Sequence, residues 1–320
     1  MPRQIVVLDA RPADVGDMDW SPLRALGELT LHPNTAPDEL AARLQSADIV
    51  LTNKVALPAS AFEAAPNLGL VSVLATGYDV IDLEAARRAG VTVCNVPAYS
   101  TASTAQTTVA LLLELTQHAG AHDTAVKAGD WTRSPSFSFW NFPLTELDGK
   151  TLLVVGLGAI GGRVAAVCEA LGMKIIAAQL PGRRSKSDSP YPRLPLDEAL
   201  PRADVVSLHC PATPETRGLV NGEFLSQLKP SAFLINTARG VLIDEIAVAE
   251  ALQSGKLAGF AADVLSVEPP PADNPLLSAP NCILTPHIAW ASTESRRRLL
   301  DVSAKNIEAF LDGRAQNVVS

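Results

Sequence analysis

The stretch from Thr151 to Gln179, TLLVVGLGAIGGRVAAVCEALGMKIIAAQ, limits what this chain can fold into more than any other. Leu152 to Val155 is a short apolar run that reads as a buried parallel strand. Gly156-x-Gly158-x-x-Gly161 follows at once, then a segment of helical periodicity and a second apolar run, Ile175 to Ala178. Each glycine has a physical task. The first allows a tight turn, the second lets backbone N–H groups approach a pyrophosphate, and the third lets helix and strand pack closely. The helix start adds unpaired N–H groups and the positive end of its dipole. The expectation is a dinucleotide site that takes in Gly156, Gly158 and Gly161. It has one defect: the acidic residue expected roughly 20 positions on, to bond a ribose 2′-OH, is replaced by Gln179.

At 320 residues the chain has room for two domains at roughly 150 each. Its net charge of -8 gives no general basic surface for nucleic acid or anionic lipid. The N-terminal apolar run, Ile5 to Leu8, is too short for a signal-peptide core or a membrane span. Cys94, Cys168, Cys210 and Cys282 are scattered without C-x-x-C pairing, which favours buried reduced thiols over disulfides or metal ligands. The expectation is a cytoplasmic protein with no metal site and no nucleic-acid or membrane partner.

Apolar runs and helical segments alternate along the rest of the chain. Strands are expected at 4–8, 48–52, 70–74 and 91–94, with helices at 37–46 and 82–89 between them. Such alternation implies parallel strands joined by right-handed crossovers. Two turns of this first part, Ala75-Thr76-Gly77 and Asn95-Val96-Pro97, follow strands, where ligands collect in open α/β sheets. A long helix is expected from Thr101 to His118. Gly129 to Pro143 is irregular and aromatic-rich, and reads either as an interface arm or as a loop packed on its own domain. After the glycine unit come a proline-broken loop at 190–195 and strands at 205–210, 232–236, 258–264 and 282–285. An amphipathic helix closes the chain at 292–312.

Three strand-end turns of this second part carry the chemistry. Arg239 directly follows a buried run, where a guanidinium is costly to desolvate without a partner. It reads as a fork for a carboxylate ligand or as the partner of a structural acid. Asp263 and Glu268 follow the next strand, and His287 follows the last. A lone histidine there is more often structural. A glutamate bonded to one ring nitrogen would fix its tautomer and favour the imidazolium. Arg, Glu and His at strand ends beside a dinucleotide turn suggest an acid–base redox site.

Taken in order, TNKV (52–55), ATGYDVIDL (75–83), NVPAYST (95–101), GLGAIGGRVA (156–165), SLHCPATPETRGLV (207–220), INTARGVLIDE (235–245), DVLSVEPP (263–270) and PHIAWAS (286–292) resemble the D-isomer-specific 2-hydroxyacid dehydrogenases, and within them the glycerate dehydrogenase/hydroxypyruvate reductase branch. The resemblance covers essentially the whole chain. It implies two doubly wound, parallel-sheet α/β domains of Rossmann-like type with an active-site cleft between them. The substrate-binding, flavodoxin-like domain would comprise 1–100 plus 292–320, and the dinucleotide-binding domain 101–291. Hydride would pass between NADPH or NADH and a small 2-oxoacid, with Arg239, Glu268 and His287 as the catalytic set. Lys54 and backbone N–H groups of Thr76 and Gly77 would join Arg239 and His287 around the substrate. Ala159, Ile160, Cys210, Pro211, Thr237, Ala238 and Thr104 would extend the cofactor set, and Asp263 would meet the nicotinamide carboxamide. A homodimer is implied, with Trp131 near its interface. The chain is also expected to lack the C-terminal regulatory domain of long phosphoglycerate dehydrogenases.

The chain departs from the family pattern at Gln179, which does not repel a 2′-phosphate, and Arg183, Arg184 and Lys186 follow it. This sets NADP ahead of NAD as an expectation, against a reading of the basic run as a solvated loop. Thr104 and Thr107 stand where this branch suggests an apolar residue and a histidine. Alternatives to the hydroxypyruvate and glyoxylate reading are a related-fold dehydrogenase of another small acid, or a cofactor-gated, corepressor-like interaction protein. Formate dehydrogenases of this superfamily have Gln in place of Glu268, which argues against that donor.

Overall fold

The computed structural model describes residues 2–180 and 189–320, and the chain divides into two compact units, Met1–Ser100 with Trp290–Ser320, and Thr101–Ala289. The first unit contains strands β1 (Gln4–Val7), β2 (Glu28–Leu31), β3 (Ile49–Thr52), β4 (Leu70–Val73) and β5 (Thr92–Cys94). They form one parallel sheet in the order β2-β1-β3-β4-β5. Successive side chains of a strand face opposite sides. In β1, Ile5 and Val7 pack with Leu299, Leu300 and Ile307 of the C-terminal helix Thr293–Leu311, while Val6 and the following Leu8 pack with Val50, Val71 and Val93. Burial on both faces explains why these strands read as unbroken apolar runs. The edge strand β2 is different. Its ELTL sequence alternates exposed and half-buried residues, so the sequence analysis passed over it.

The second unit contains β6 (Thr151–Val155), β7 (Lys174–Ala178), β8 (Arg193–Leu194), β9 (Val205–Leu208), β10 (Phe233–Asn236), β11 (Gly259–Ala262) and β12 (Cys282–Leu284). All pair in parallel, in the order β12-β11-β10-β9-β6-β7-β8. β6 and β9 are neighbours but not consecutive, so the strand order reverses between them, where ligands of such sheets bind. Short β8 lies inside the stretch expected to be loop. Helices Thr101–Gln117 and Ala159–Ala170 cover one face around Leu112, Leu115, Val164 and Cys168. Leu225, Val248 and Leu252 line the other. Asp244 caps helix Glu245–Gln253 by accepting from the N–H groups of Ile246 and Ala247. Among the described residues no helix is long and apolar enough to cross a membrane.

No cysteine forms a disulfide; Cys94, Cys168 and Cys210 are buried and Cys282 is half-buried. Burial pushes the Cys168 thiol up to about 11 and that of Cys282 to about 12, so neither is a thiolate nucleophile near neutral pH.

Candidate active site

The glycine turn fits a dinucleotide. Gly156 leaves β6 with φ +106, and a Cβ there would stand 2.5 Å from the Cys210 nitrogen just past β9. A Cβ on Gly161 would collide with the Gly156 carbonyl oxygen. Both positions are closed to side chains by packing within the protein. At Gly158 the reason differs: nothing lies within 4 Å of where its Cβ would be. Helix Ala159–Ala170 starts at that open space, and no side chain caps it. The N–H groups of Ala159, Ile160 and Gly161 therefore offer an anion site.

Gln179 lies exposed just past β7, and its backbone N–H donates to Leu194 O at 2.8 Å. Arg183, with Arg184 and Lys186, lies outside the described residues. The hydroxyl of buried Thr108 donates to Thr104 O at 2.8 Å and stands 2.8 Å from the Thr237 hydroxyl. Its single proton is thus engaged, so Thr237 is the donor in the second bond. Two expected cofactor residues, Thr104 and Thr237, are tied together through one that the sequence analysis passed over. Pro211 is exposed, and its carbonyl accepts from the Thr216 hydroxyl at 2.7 Å. His209, beside buried Cys210, is held down to about 4 by burial; its Nε2 lies 2.8 Å from Ser207 Oγ.

Past β10, the buried Asn236 side chain donates to Arg239 O at 2.9 Å and accepts from Ala238 N–H at 3.1 Å. This closes the turn and leaves Arg239 exposed. Its guanidinium donates to Ala238 O at 2.8 Å, and among the described residues no carboxylate pairs with it. The burial cost expected from sequence does not arise, because the side chain has already left the sheet. Gly240 comes next, and a Cβ there would collide with the carbonyl carbon and oxygen of Leu265. The arginine turn and the loop after β11 are in direct backbone contact.

That loop carries Glu268. Its Oε2 lies 2.6 Å from His287 Nδ1, and its Oε1 accepts from Leu265 N–H at 3.0 Å. Glu245 fixes the loop from outside, accepting from Ser266 N–H at 2.6 Å and the Asn274 side chain at 2.7 Å. Asp263 fixes the histidine turn. It accepts from the Thr285 hydroxyl at 2.6 Å and from the N–H groups of Ile288 and Ala289, each at 2.8 Å. Burial raises the Asp263 carboxyl, opposed by these donors. His287 adopts φ +54, with its own N–H on Asp263 O at 2.8 Å. With Nδ1 on a carboxylate, Nε2 remains for proton exchange.

In the first unit, the buried Asp9 carboxylate follows β1 and gathers the N–H groups of Asn53 at 2.7 Å and Lys54 at 2.6 Å. Burial raises this carboxyl, and the same donors oppose the shift. The Lys54 side chain remains exposed. The Asn53 side chain donates to Leu74 O at 2.6 Å, ahead of the Thr76–Gly77 turn. Asp9 and Glu245 were given no role in the sequence, and Asn53 and Asn95 were noted only as members of their turns. The one signal available was position: each lies directly beside an apolar run or a helix cap, where a buried polar group needs a partner.

Residues 109–289 match the family described as D-isomer specific 2-hydroxyacid dehydrogenase, NAD binding domain. The chain is 45% identical over 320 residues to a hydroxypyruvate reductase of Blautia hydrogenotrophica, covering 99% of each. It is 37% identical to a glycerate dehydrogenase of Methylorubrum extorquens, over 100% of this chain and 99% of that one. Its fold is similar to the crystal structure of an NADPH-dependent glyoxylate/hydroxypyruvate reductase from Sinorhizobium meliloti in complex with NADP and malonate. The TM-score is 0.81 at 28% identity, over 99% of this chain and 97% of that one. The chain is therefore a member of the D-isomer specific 2-hydroxyacid dehydrogenase family, an oxidoreductase built for a nicotinamide cofactor.

Proposed function

We propose that the chain reduces hydroxypyruvate to D-glycerate and glyoxylate to glycolate, with NADPH ahead of NADH. The observation that carries the chemistry is the 2.6 Å pair between His287 Nδ1 and Glu268 Oε2. A carboxylate at that distance fixes the ring through Nδ1 and leaves Nε2 for proton transfer to the substrate. The bound nicotinamide supplies a hydride to the 2-oxo carbon. His287 would deliver the proton to the carbonyl oxygen as the C=O π pair moves onto it, so the hydride completes a C–H bond and the proton the O–H. Arg239 offers a planar fork to the carboxylate and carbonyl oxygens. Lys54 and the N–H groups of Thr76 and Gly77 are assigned to the same carboxylate. Asp263 and Glu245 hold the two loops that bear the pair, and Asp263 Oδ2 retains room for the carboxamide donor.

These assignments give the first unit the substrate-binding role and the second the cofactor role. The names of the relatives support the substrate, since hydroxypyruvate reductase and glycerate dehydrogenase describe opposite directions of one reaction. The cofactor order rests on Gln179, which carries no charge against a 2′-phosphate. A further cation lies on the neighbouring strand: among the described residues the buried Nε of Arg193 has no hydrogen-bond partner. A homodimer is supported by aromatic side chains of the 131–140 arm. Phe137 is 89% exposed and Trp140 68%, and exposed aromatics of this kind are enriched at interfaces. A cytoplasmic setting is supported by the reduced thiols. The test is kcat/KM for a panel of 2-oxoacids with NADH and with NADPH. Hydroxypyruvate and glyoxylate should lead the panel, with NADPH preferred. A large NADH preference contradicts the cofactor order, and a different leading acid contradicts the substrate.

A further inference from the structure

We propose that Asn95 is a positioning residue for the substrate carboxylate, and that a closed ring of asparagines sets its place. The proposal rests on the reading of Gly77 N–H as a carboxylate donor. Thr76 C=O and Gly77 N–H belong to one peptide unit, and in a planar trans peptide they point in opposite directions. The Asn95 side chain donates to Thr76 O at 2.7 Å. That bond fixes the peptide plane and turns Gly77 N–H the other way. Among the described residues Gly77 N–H has no acceptor. The Thr76 hydroxyl, donating to Val96 O at 2.8 Å, ties the same turn to the end of β5 a second time.

Asn95 is itself held on both sides of its backbone. Its N–H donates to Asn317 O at 3.1 Å. The Asn317 side chain donates to Asn306 Oδ1 at 2.8 Å, and the Asn306 side chain donates to Asn95 O at 2.9 Å. The three bonds close a ring. Asn306 is fully buried and Asn95 nearly so, where an unpaired amide is costly. Asn317 meets the ring from a left-handed backbone, φ +54, a region that asparagine tolerates better than most residues. Beyond it Val319 N–H donates to Val93 O at 2.8 Å, so the C-terminal tail is fastened along β5. The tail and the C-terminal helix thus act on a substrate-facing peptide that they do not touch.

The test uses Asn95→Asp in the full-length enzyme, with hydroxypyruvate and its neutral analogue hydroxypyruvamide as substrates. The replacement keeps the shape but sets a carboxylate oxygen against Thr76 O, so the peptide is no longer held. KM for hydroxypyruvate should rise about 10–100-fold, the size expected when a hydrogen bond to a charged group is lost. KM for hydroxypyruvamide and the NADPH Kd should stay near wild type, so the preference for acid over amide collapses. Asn317→Ala, at the half-buried edge of the ring, should shift the same ratio in the same direction by less, and it carries the test if Asn95→Asp does not fold. A folded variant that keeps the wild-type preference overturns the proposal, as does an equal loss on both substrates. If the wild-type enzyme itself reduces acid and amide alike, the carboxylate seat at Gly77 is what fails.

Discussion

The two units solve the same problem with different chemistry. Both are parallel sheets, and the proposed function puts the working groups at their strand ends. In the second unit those groups are charged side chains, Arg239, Glu268 and His287, set on turns that Asn236, Asp263 and Glu245 brace. In the first unit the proposed groups are, Lys54 apart, backbone N–H groups on turns that Asp9, Asn53 and Asn95 brace. Proton transfer needs a titratable atom, so it has to be a side chain. Holding a carboxylate needs only fixed donors, which the backbone supplies. One unit places its reactive side chains and the other its peptide planes.

The comparison can be broken first at Gly240. If the side-chain set depends on close backbone approach, Gly240→Val should be the most damaging single change in the second unit. Its branched side chain would enter the Leu265 carbonyl and displace the loop that bears Glu268. A fall in kcat/KM of at least about 100-fold and a lower melting temperature are expected. Wild-type activity in that variant would show that the loop position does not matter.

A smaller effect is expected at Glu268→Gln, which keeps the shape and removes the charge. Reductive kcat/KM should fall by about 10–100-fold while the NADPH Kd stays near wild type. Unchanged kcat/KM would separate the glutamate from the histidine. The smallest effect concerns His209, which has no part in either set. Its pKa is held at about 4 against an ordinary 6.5, so the unfolded chain takes up a proton that the folded chain refuses. The stability it contributes is present above 6.5 and lost as pH falls from there toward 4. In His209→Asn that part of the acid loss should disappear, read as a smaller drop in urea midpoint between pH 7 and pH 5. An equal drop in both proteins would remove His209 from the acid response.

The same contrast explains what the sequence revealed. Strands buried on both faces announce themselves as apolar runs, and the glycine turn as a spacing; Ile5 to Leu8 and Gly156 to Gly161 were legible for that reason. β2 was not, because an edge strand with one wet face carries only weak alternation. His287 and Glu268 could be paired on paper because charged residues at strand ends are rare enough to notice. The Asn95–Asn306–Asn317 ring could not, because its members are more than 200 residues apart at the widest and asparagine is common in turns. Long-range amide bonds leave no spacing to read. Arg239 was placed correctly past β10, yet the burial argued for it was wrong: Thr237, one residue beyond the strand, is still buried, but three residues beyond it the turn has reached solvent.

The central claim is that His287, held by Glu268, is the proton donor in reduction of a 2-oxoacid. The most direct measurement compares wild type with His287→Ala, following loss of reduced nicotinamide absorbance with hydroxypyruvate and measuring NADPH Kd in parallel. The variant should lose about 100-fold or more in kcat, within the range assigned to general acid catalysis, while binding NADPH as the wild type does. Near-normal turnover in the variant would contradict the account.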